Sequence, residues 1–263
     1  MPEEKLRLGG MALANGVLVH GPRAWAGAVR LPDGTLRTAS AYKRFRAAEL
    51  KQPFLRGPAR LVEAFAVLPE LKRRLPEAEF PFERPGVLAS MLASAIAVRA
   101  VRESSRIRGG AREVLSGLLT LLPALAALRG SELTAYHGAE HVTIGSYEHG
   151  ELRGTEHERC GSHLVGPLLV TTAIGNLLAA RAPAHLRRVA RGAAGLGALA
   201  ASTEIFAWMI RHPDDPISRV LARPGHELQH RFATSAPSAQ QLEVAEAALR
   251  ECLRLEHDAA DAD

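Results

Sequence analysis

Hydrophobic and polar positions change rhythm several times along this chain. Residues 9–38 alternate: Gly9-Gly10 opens a stretch in which Leu13, Val17 and Val19 fall on one parity, 25–30 continues it, and Pro32-Asp33-Gly34 marks a turn. A period of two bounded by turn residues predicts a small β-sheet or pair of hairpins. Residues 43–74 are basic and amphipathic, with Leu55, Leu61, Val62, Phe65 and Leu68 near helical spacing and prolines at 53, 58 and 69. That pattern predicts a surface helix, with a helix lying on a membrane surface as its alternative.

From Pro85 the chain turns to apolar runs, at 87–98, 114–128, 164–180 and 192–210, joined by short basic links. A spanning helix needs about 20 mostly apolar residues. By that measure only the last two runs are expected to cross a membrane. Crossing by all four would put the five arginines of 99–112 and the four of 181–191 opposite an N-terminal region that holds fifteen Lys and Arg in 86 residues. That strains the positive-inside tendency. Either some runs dip in and return, or the helices pack on each other in water; membrane association is the expectation.

The last part regains a soluble texture. Turns are expected at 213–216 and at Pro224-Gly225, then an amphipathic helix over 240–255 with Leu242, Ala245, Leu249 and Cys252 inward, then a frayed acidic tail. The predicted fold class is mainly α with a small N-terminal β region, helix-rich and membrane-associated. Three segments follow from texture: 1–84 (β region and basic helix), 85–212 (apolar helices) and 213–263 (soluble helical segment).

Composition supports the helical reading, since 47% of residues are hydrophobic, chiefly Ala and Leu, and only 5% are aromatic. The net charge of +5 is spread without the interleaved aromatics that single-stranded nucleic acid favours. Nucleic acid is therefore not an expected partner. Membrane lipids are, because anionic headgroups attract scattered arginines beside apolar segments. Two cysteines make no disulfide framework, and MPEEKLRLGG has no apolar signal core. A cytoplasmic start is expected, with the cell inner (cytoplasmic) membrane as the location and the soluble cytoplasm as the alternative.

Candidate chemistry concentrates in residues 131–163, which hold His137, Glu140, His141, His149, His157, Cys160 and His163. On a helix, His137 and His141 project from one face one turn apart, with Glu140 beside them. Two neutral imidazoles and a carboxylate suit zinc or a similar divalent ion, and a Glu that is not a ligand can serve as general base. Ser131 is a plausible N-cap for that helix and Glu132 favours its first turn. His157 and Cys160 follow at ligand spacing and are the expected completing ligands; His163 ranks below His157.

Two further signals are weaker. His226-Glu227-Leu228-Gln229-His230 spells H-E-x-x-H, the pattern of one zinc-peptidase class. It follows Pro224-Gly225, so a helix would have to begin at the motif, and coincidence is the expectation. Glu204 lies inside the last apolar run: in lipid its carboxylate must face a polar interior and is a functional candidate, whereas in a soluble helix it is simply a solvated residue.

Four blocks carry a resemblance. Gly9-Gly10-Met11-Ala12-Leu13-Ala14-Asn15-Gly16-Val17 resembles GGQAVIEGVM, Tyr136-His137-Gly138-Ala139-Glu140-His141 matches YHGAEH, and His157-Glu158-Arg159-Cys160-Gly161 resembles H-x-RCG. Pro224-Gly225, Gln229, Thr234, Pro237 and Leu242-Glu243-Val244-Ala245 follow a PG…Q…TT…P…LEVA pattern. In this order the blocks are similar to a bacterial family of unknown function, the YqhQ-like proteins (domain of unknown function 1385). That family is described as predicted metal-dependent enzymes with membrane helices. The chain departs from the pattern at Met11, Asn15, Val142, Ser162 and His163. If the Glu replaced by Asn15 were a metal ligand or base in relatives, this chain would hold metal differently or lack the activity.

The resulting expectation is a membrane-associated protein with a metal site on His137, His141, His157 and Cys160, and Glu140 as the catalytic base of metal-assisted hydrolysis. The competing expectation is a non-catalytic membrane adaptor or scaffold whose histidines are structural or hold a closed metal site.

Overall fold

The computed structural model describes residues 5–43, 47–107, 109–128 and 132–261. The alternating N-terminal stretch forms a four-stranded antiparallel meander: β1 (Gly9–Leu13), β2 (Gly16–His20), β3 (Ala24–Arg30) and β4 (Leu36–Tyr42), in that spatial order. Its register sets Gly9 opposite His20 and Leu13 opposite Gly16. Successive side chains point to opposite faces, and here both faces are covered. Val17, Val19, Ala26 and Ala28 pack into one core with Tyr136, Ala139, Ile144, Val244, Ala248 and Cys252. Leu13, Leu18, Trp25 and Val29 pack into another with Leu68, Leu71, Leu75 and Phe80.

Two helices build the first core. α6 (Leu133–His149) carries the histidine pair, and α10 (Ala239–Asp261) lies alongside it against the sheet. The expected Ser131 cap lies outside the described residues, and Glu132 occupies the N-cap position of α6 without a side-chain bond. The acidic tail, expected to fray, continues as helix to Asp261.

The basic segment divides at Val67 into α1 (Arg56–Ala66) and α2 (Leu68–Arg74). α2 supplies the second core. α1 inverts the usual arrangement: its Glu63 is buried against Lys43, 3.3 Å away, while Val62 and Phe65 stand 63% and 60% exposed. Its first residue, Arg56, forks onto Glu204, with 2.9 Å and 2.5 Å contacts. The isolated carboxylate of the last apolar run is thus partnered.

The apolar region holds α3 (Pro85–Glu103), α4 (Gly109–Thr120), α5 (Leu122–Leu128), α7 (Val165–Ala180) and α8 (Arg187–Arg211). Four helical stretches are long and apolar enough to cross a membrane, Pro85–Glu103, Gly109–Leu128, Gly161–Ala180 and Arg187–Arg211, twice the number that run length alone predicts. The helices extend past the unbroken apolar runs through Gly, Ala, Ser and Thr, and at 1.5 Å per residue about 20 residues reach some 30 Å. Only 6% to 22% of each apolar window is buried, and Leu92, Leu118, Leu177 and Leu196 are 58% to 74% exposed. An ordinary water-soluble core would cover them, so this exposure fits membrane association.

Polar contacts tie these helices together. Ser94 donates to the Leu119 carbonyl at 2.7 Å, Thr171 to that of Ala198 at 3.0 Å, and Asn176 to Glu113 at 2.7 Å. After α8 the chain forms α9 (Pro216–Leu228), capped by Asp215, whose side chain accepts from the Ile217 N–H. The turn expected at Pro224-Gly225 is helix instead. Pro216 at the start presets the first turn, and α9 runs through Pro224 into a π-type turn, Gln229–Ala233.

Candidate metal centre

On α6, the four-residue spacing brings the rings of His137 and His141 to 4.3 Å between centroids. Cys160 arrives from the loop after α6 and places Sγ 3.5 Å from Nε2 of His137. One donor atom from each of these three residues lies within 4.8 Å of the others, the one such group among the described residues.

Both imidazoles are oriented from behind. Nδ1 of His137 is 2.9 Å from the Ala233 carbonyl, and Nδ1 of His141 is 2.7 Å from that of Thr155. A carbonyl oxygen can only accept, so each Nδ1 carries the proton. Each Nε2 lone pair then faces the group, as in metal sites where an outer carbonyl sets the tautomer. Gly138 makes the first bond possible, because a Cβ there would overlap the Ser235 carbonyl in the strand of backbone that supplies Ala233.

Glu140 lies between the histidines, its Oε2 3.8 Å from both Nε2 atoms. Burial disfavours its ionised form and pushes its pKa up to about 7. Burial and the neighbouring His137 hold His141 down at about 3, so it stays neutral, the form that binds metal. Gly10 of β1 borders the carboxylate so closely that any Cβ would collide with it.

His157 does not enter the group of three. Its ring lies 5.6 Å from that of His141, its Nε2 is 3.4 Å from Glu148, and its Nδ1 accepts from the Arg159 N–H. The loop bearing it is pinned by Gln229, a fully buried side chain. Gln229 Oε1 accepts from the His157 N–H, and Nε2 donates to the His157 carbonyl and Ser162 Oγ and lies 3.1 Å from His163 Nδ1. Spacing did not single out Gln229 or Gly10, although both stand in the motif blocks. His149 bonds the Gly145 carbonyl and faces Glu158, and His163 is buried against Gln229; neither joins the metal group.

A cavity of about 380 Å³ opens beside the three donors, lined by Met11, Glu140 and Gly161 among others. Of the departures in the first block, Met11 borders this cavity. Asn15 does not: it bonds the Glu77 carbonyl and the Glu79 N–H. In the H-E-x-x-H stretch, His226 and His230 both face Glu156, at 3.3 Å and 2.8 Å, and Glu227 pairs with Arg231. The two exposed histidines meet at Glu156, but the stretch forms no three-donor metal group among the described residues.

Residues 131–255 match the family model described as a protein of unknown function, DUF1385. The uncharacterized protein YqhQ of Bacillus subtilis (strain 168) is 33% identical over 129 residues, 46% of this chain and 40% of the relative. The match therefore spans well under half of that relative's length. No solved structure matches. The two sequence findings support the YqhQ-like family, and the matched region contains His137, Glu140, His141, Cys160 and Gln229.

Proposed function

We propose that this chain, resembling proteins of no assigned activity, is a membrane-embedded metal-dependent hydrolase whose ion is held by His137, His141 and Cys160. The observation that carries this reading is the convergence of two imidazole Nε2 atoms, each with Nδ1 bound to a carbonyl, on one thiol beside an open cavity. Three protein donors with free space next to them suit a catalytic zinc-type site, whereas a structural site closes with four. That weighs against the adaptor alternative.

A bound divalent ion would supply Lewis acidity toward a substrate oxygen. Glu140 can hold or release a proton near neutrality, since burial raises its pKa to about 7. Its two 3.8 Å separations from the imidazoles leave it beside the site, as a base requires. Glu148, away from the three donors, takes the Arg159 guanidinium and lies 3.4 Å from Nε2 of His157.

In this reading the four apolar stretches cross the membrane. An even number of crossings sets the sheet, α6, α9 and α10 on one side, and the packing of the sheet on α6 and α10 supports that arrangement. Most of the Lys and Arg lie in that body, so the positive-inside tendency favours its facing the cytoplasm.

Metal analysis of the purified full chain tests the proposal. The parent is expected to hold about one zinc-type ion per chain, as a three-donor site would. His137→Ala/His141→Ala should hold none and Glu140→Gln should keep it. Equal, negligible metal in parent and double variant would sink the reading.

A further inference from the structure

A second and larger cavity, of about 650 Å³, lies on the other side of Arg159, which lines both it and the metal-site cavity. One wall is apolar, formed by Phe206, Met209 and Ile210 in the last turns of α8. Four cationic side chains also line it: Lys5, Arg7, Arg159 and Arg219.

Two carboxylates share this space, and both are engaged. Glu148 takes the Arg159 guanidinium, accepts from the Leu8 N–H and lies near His157; Glu158 faces His149 at 3.3 Å. Lys5 donates to the Tyr147 carbonyl, and Arg219 to that of Asp214, neither of which removes a positive charge. Arg7 is exposed and makes no hydrogen bond or ion pair among the described residues. An excess of positive charge is thus held around a cavity by a scaffold that leaves guanidinium donors unspent.

We propose that this cavity binds the phosphate headgroup of an anionic membrane phospholipid, with its acyl chain laid along Phe206, Met209 and Ile210. Guanidinium groups match phosphate oxygens in pairs. A free phosphate ion would gain nothing from the apolar wall, whereas an amphiphile buries its chain there. The wall is also the end of a helix whose upper turns expose Leu196 and other apolar side chains, so the cavity opens where a lipid headgroup layer meets the soluble body. Taking this lipid as the substrate rests on the metal-site reading, since the shared Arg159 sets its headgroup next to the donors. The binding site stands without that reading.

The test uses the full chain in detergent micelles, stripped of metal with a chelator, and pyrene-labelled phosphatidylglycerol or phosphatidylcholine. The parent should hold the phosphatidylglycerol probe at least tenfold more tightly. Arg7→Glu and Arg219→Ala should each weaken it about fivefold or more, the scale of one cation near a lipid headgroup, while Arg188→Glu at the far end of α8 leaves it unchanged. Equal affinity for both probes, or an Arg7→Glu protein that binds as the parent does, overturns the proposal. So does displacement of the probe by inorganic phosphate as readily as by unlabelled phosphatidylglycerol, which would identify a small-anion site. Because the protein is metal-free throughout, failure here is separate from failure of metal analysis.

Discussion

The Glu140 carboxylate occupies the space that a side chain at Gly10 would fill. A residue on the first strand therefore shapes the floor of a site whose donors lie on α6 and the loop beyond it.

Gly10→Ala should displace the carboxylate, because β1 is held by its pairing with β2 and cannot retreat. Overpacking of this kind costs about 1–3 kcal/mol. A lower unfolding midpoint is expected, with about tenfold weaker metal binding, the usual scale for disturbing an outer contact. A variant that melts and binds as the parent does would mean that β1 does not hold Glu140 in place.

Cys160 is expected to bind metal as thiolate. Protein loaded with Co²⁺ should show a sulfur-to-metal charge-transfer band in its near-ultraviolet spectrum. Cys160→Ser should remove that band while leaving visible bands from the histidine ligands, whereas Cys252→Ala should change neither, since Cys252 is buried on α10 against Ala24 of β3.

Gln229→Leu removes the side chain that holds both the N–H and the carbonyl of His157. Stranding buried polar groups costs about 1–3 kcal/mol each. The variant should lose both stability and metal affinity, since Cys160 rides on the same loop. His230→Ala, at an exposed position facing Glu156, should lose neither. Equal effects from the two substitutions would contradict this.

His20 predicts an acid sensitivity. Burial first, then the charge of Lys43 3.0 Å away, lowers its pKa from 6.5 to about 3. Below pH 6.5 the unfolded chain takes a proton that the folded chain refuses, so stability is complete above 6.5 and falls as pH drops toward 3. At pH 5 the contribution is about 2 kcal/mol. Unfolding midpoints measured from pH 7 to pH 5 should decline less steeply for His20→Gln than for the parent; parallel curves would exclude His20 as the source.

Four crossings can be mapped with an impermeant maleimide. In a Cys160→Ser/Cys252→Ala background, cysteines replacing Asp33 and Asp258 should label from one side of the membrane. Those replacing Arg106 and His185 should label from the other. Labelling of positions 33 and 106 from the same side would mean that α3 does not cross.

What the amino-acid order determined by itself was local. Alternation at Leu13, Val17 and Val19 specified strands, because a period of two needs no distant partner to be read. The four-residue step from His137 to His141 likewise puts both rings on one helical face without need of any tertiary contact. The apolar stretches after Pro85 were legible too, although their helices outran the apolar runs once small residues and flanking arginines were counted. Tertiary structure decided the rest. It brought Cys160 to the histidine pair and drew His157 off toward Glu148. It supplied the Ala233 and Thr155 carbonyls that orient the rings, and laid Gly10 against Glu140 from well over a hundred residues away. It also turned α1 over, burying Glu63 on Lys43 and leaving Val62 and Phe65 outside. The reason is the same in each case: helical and strand periods are carried by neighbours in the chain, whereas which face meets which partner depends on long-range packing.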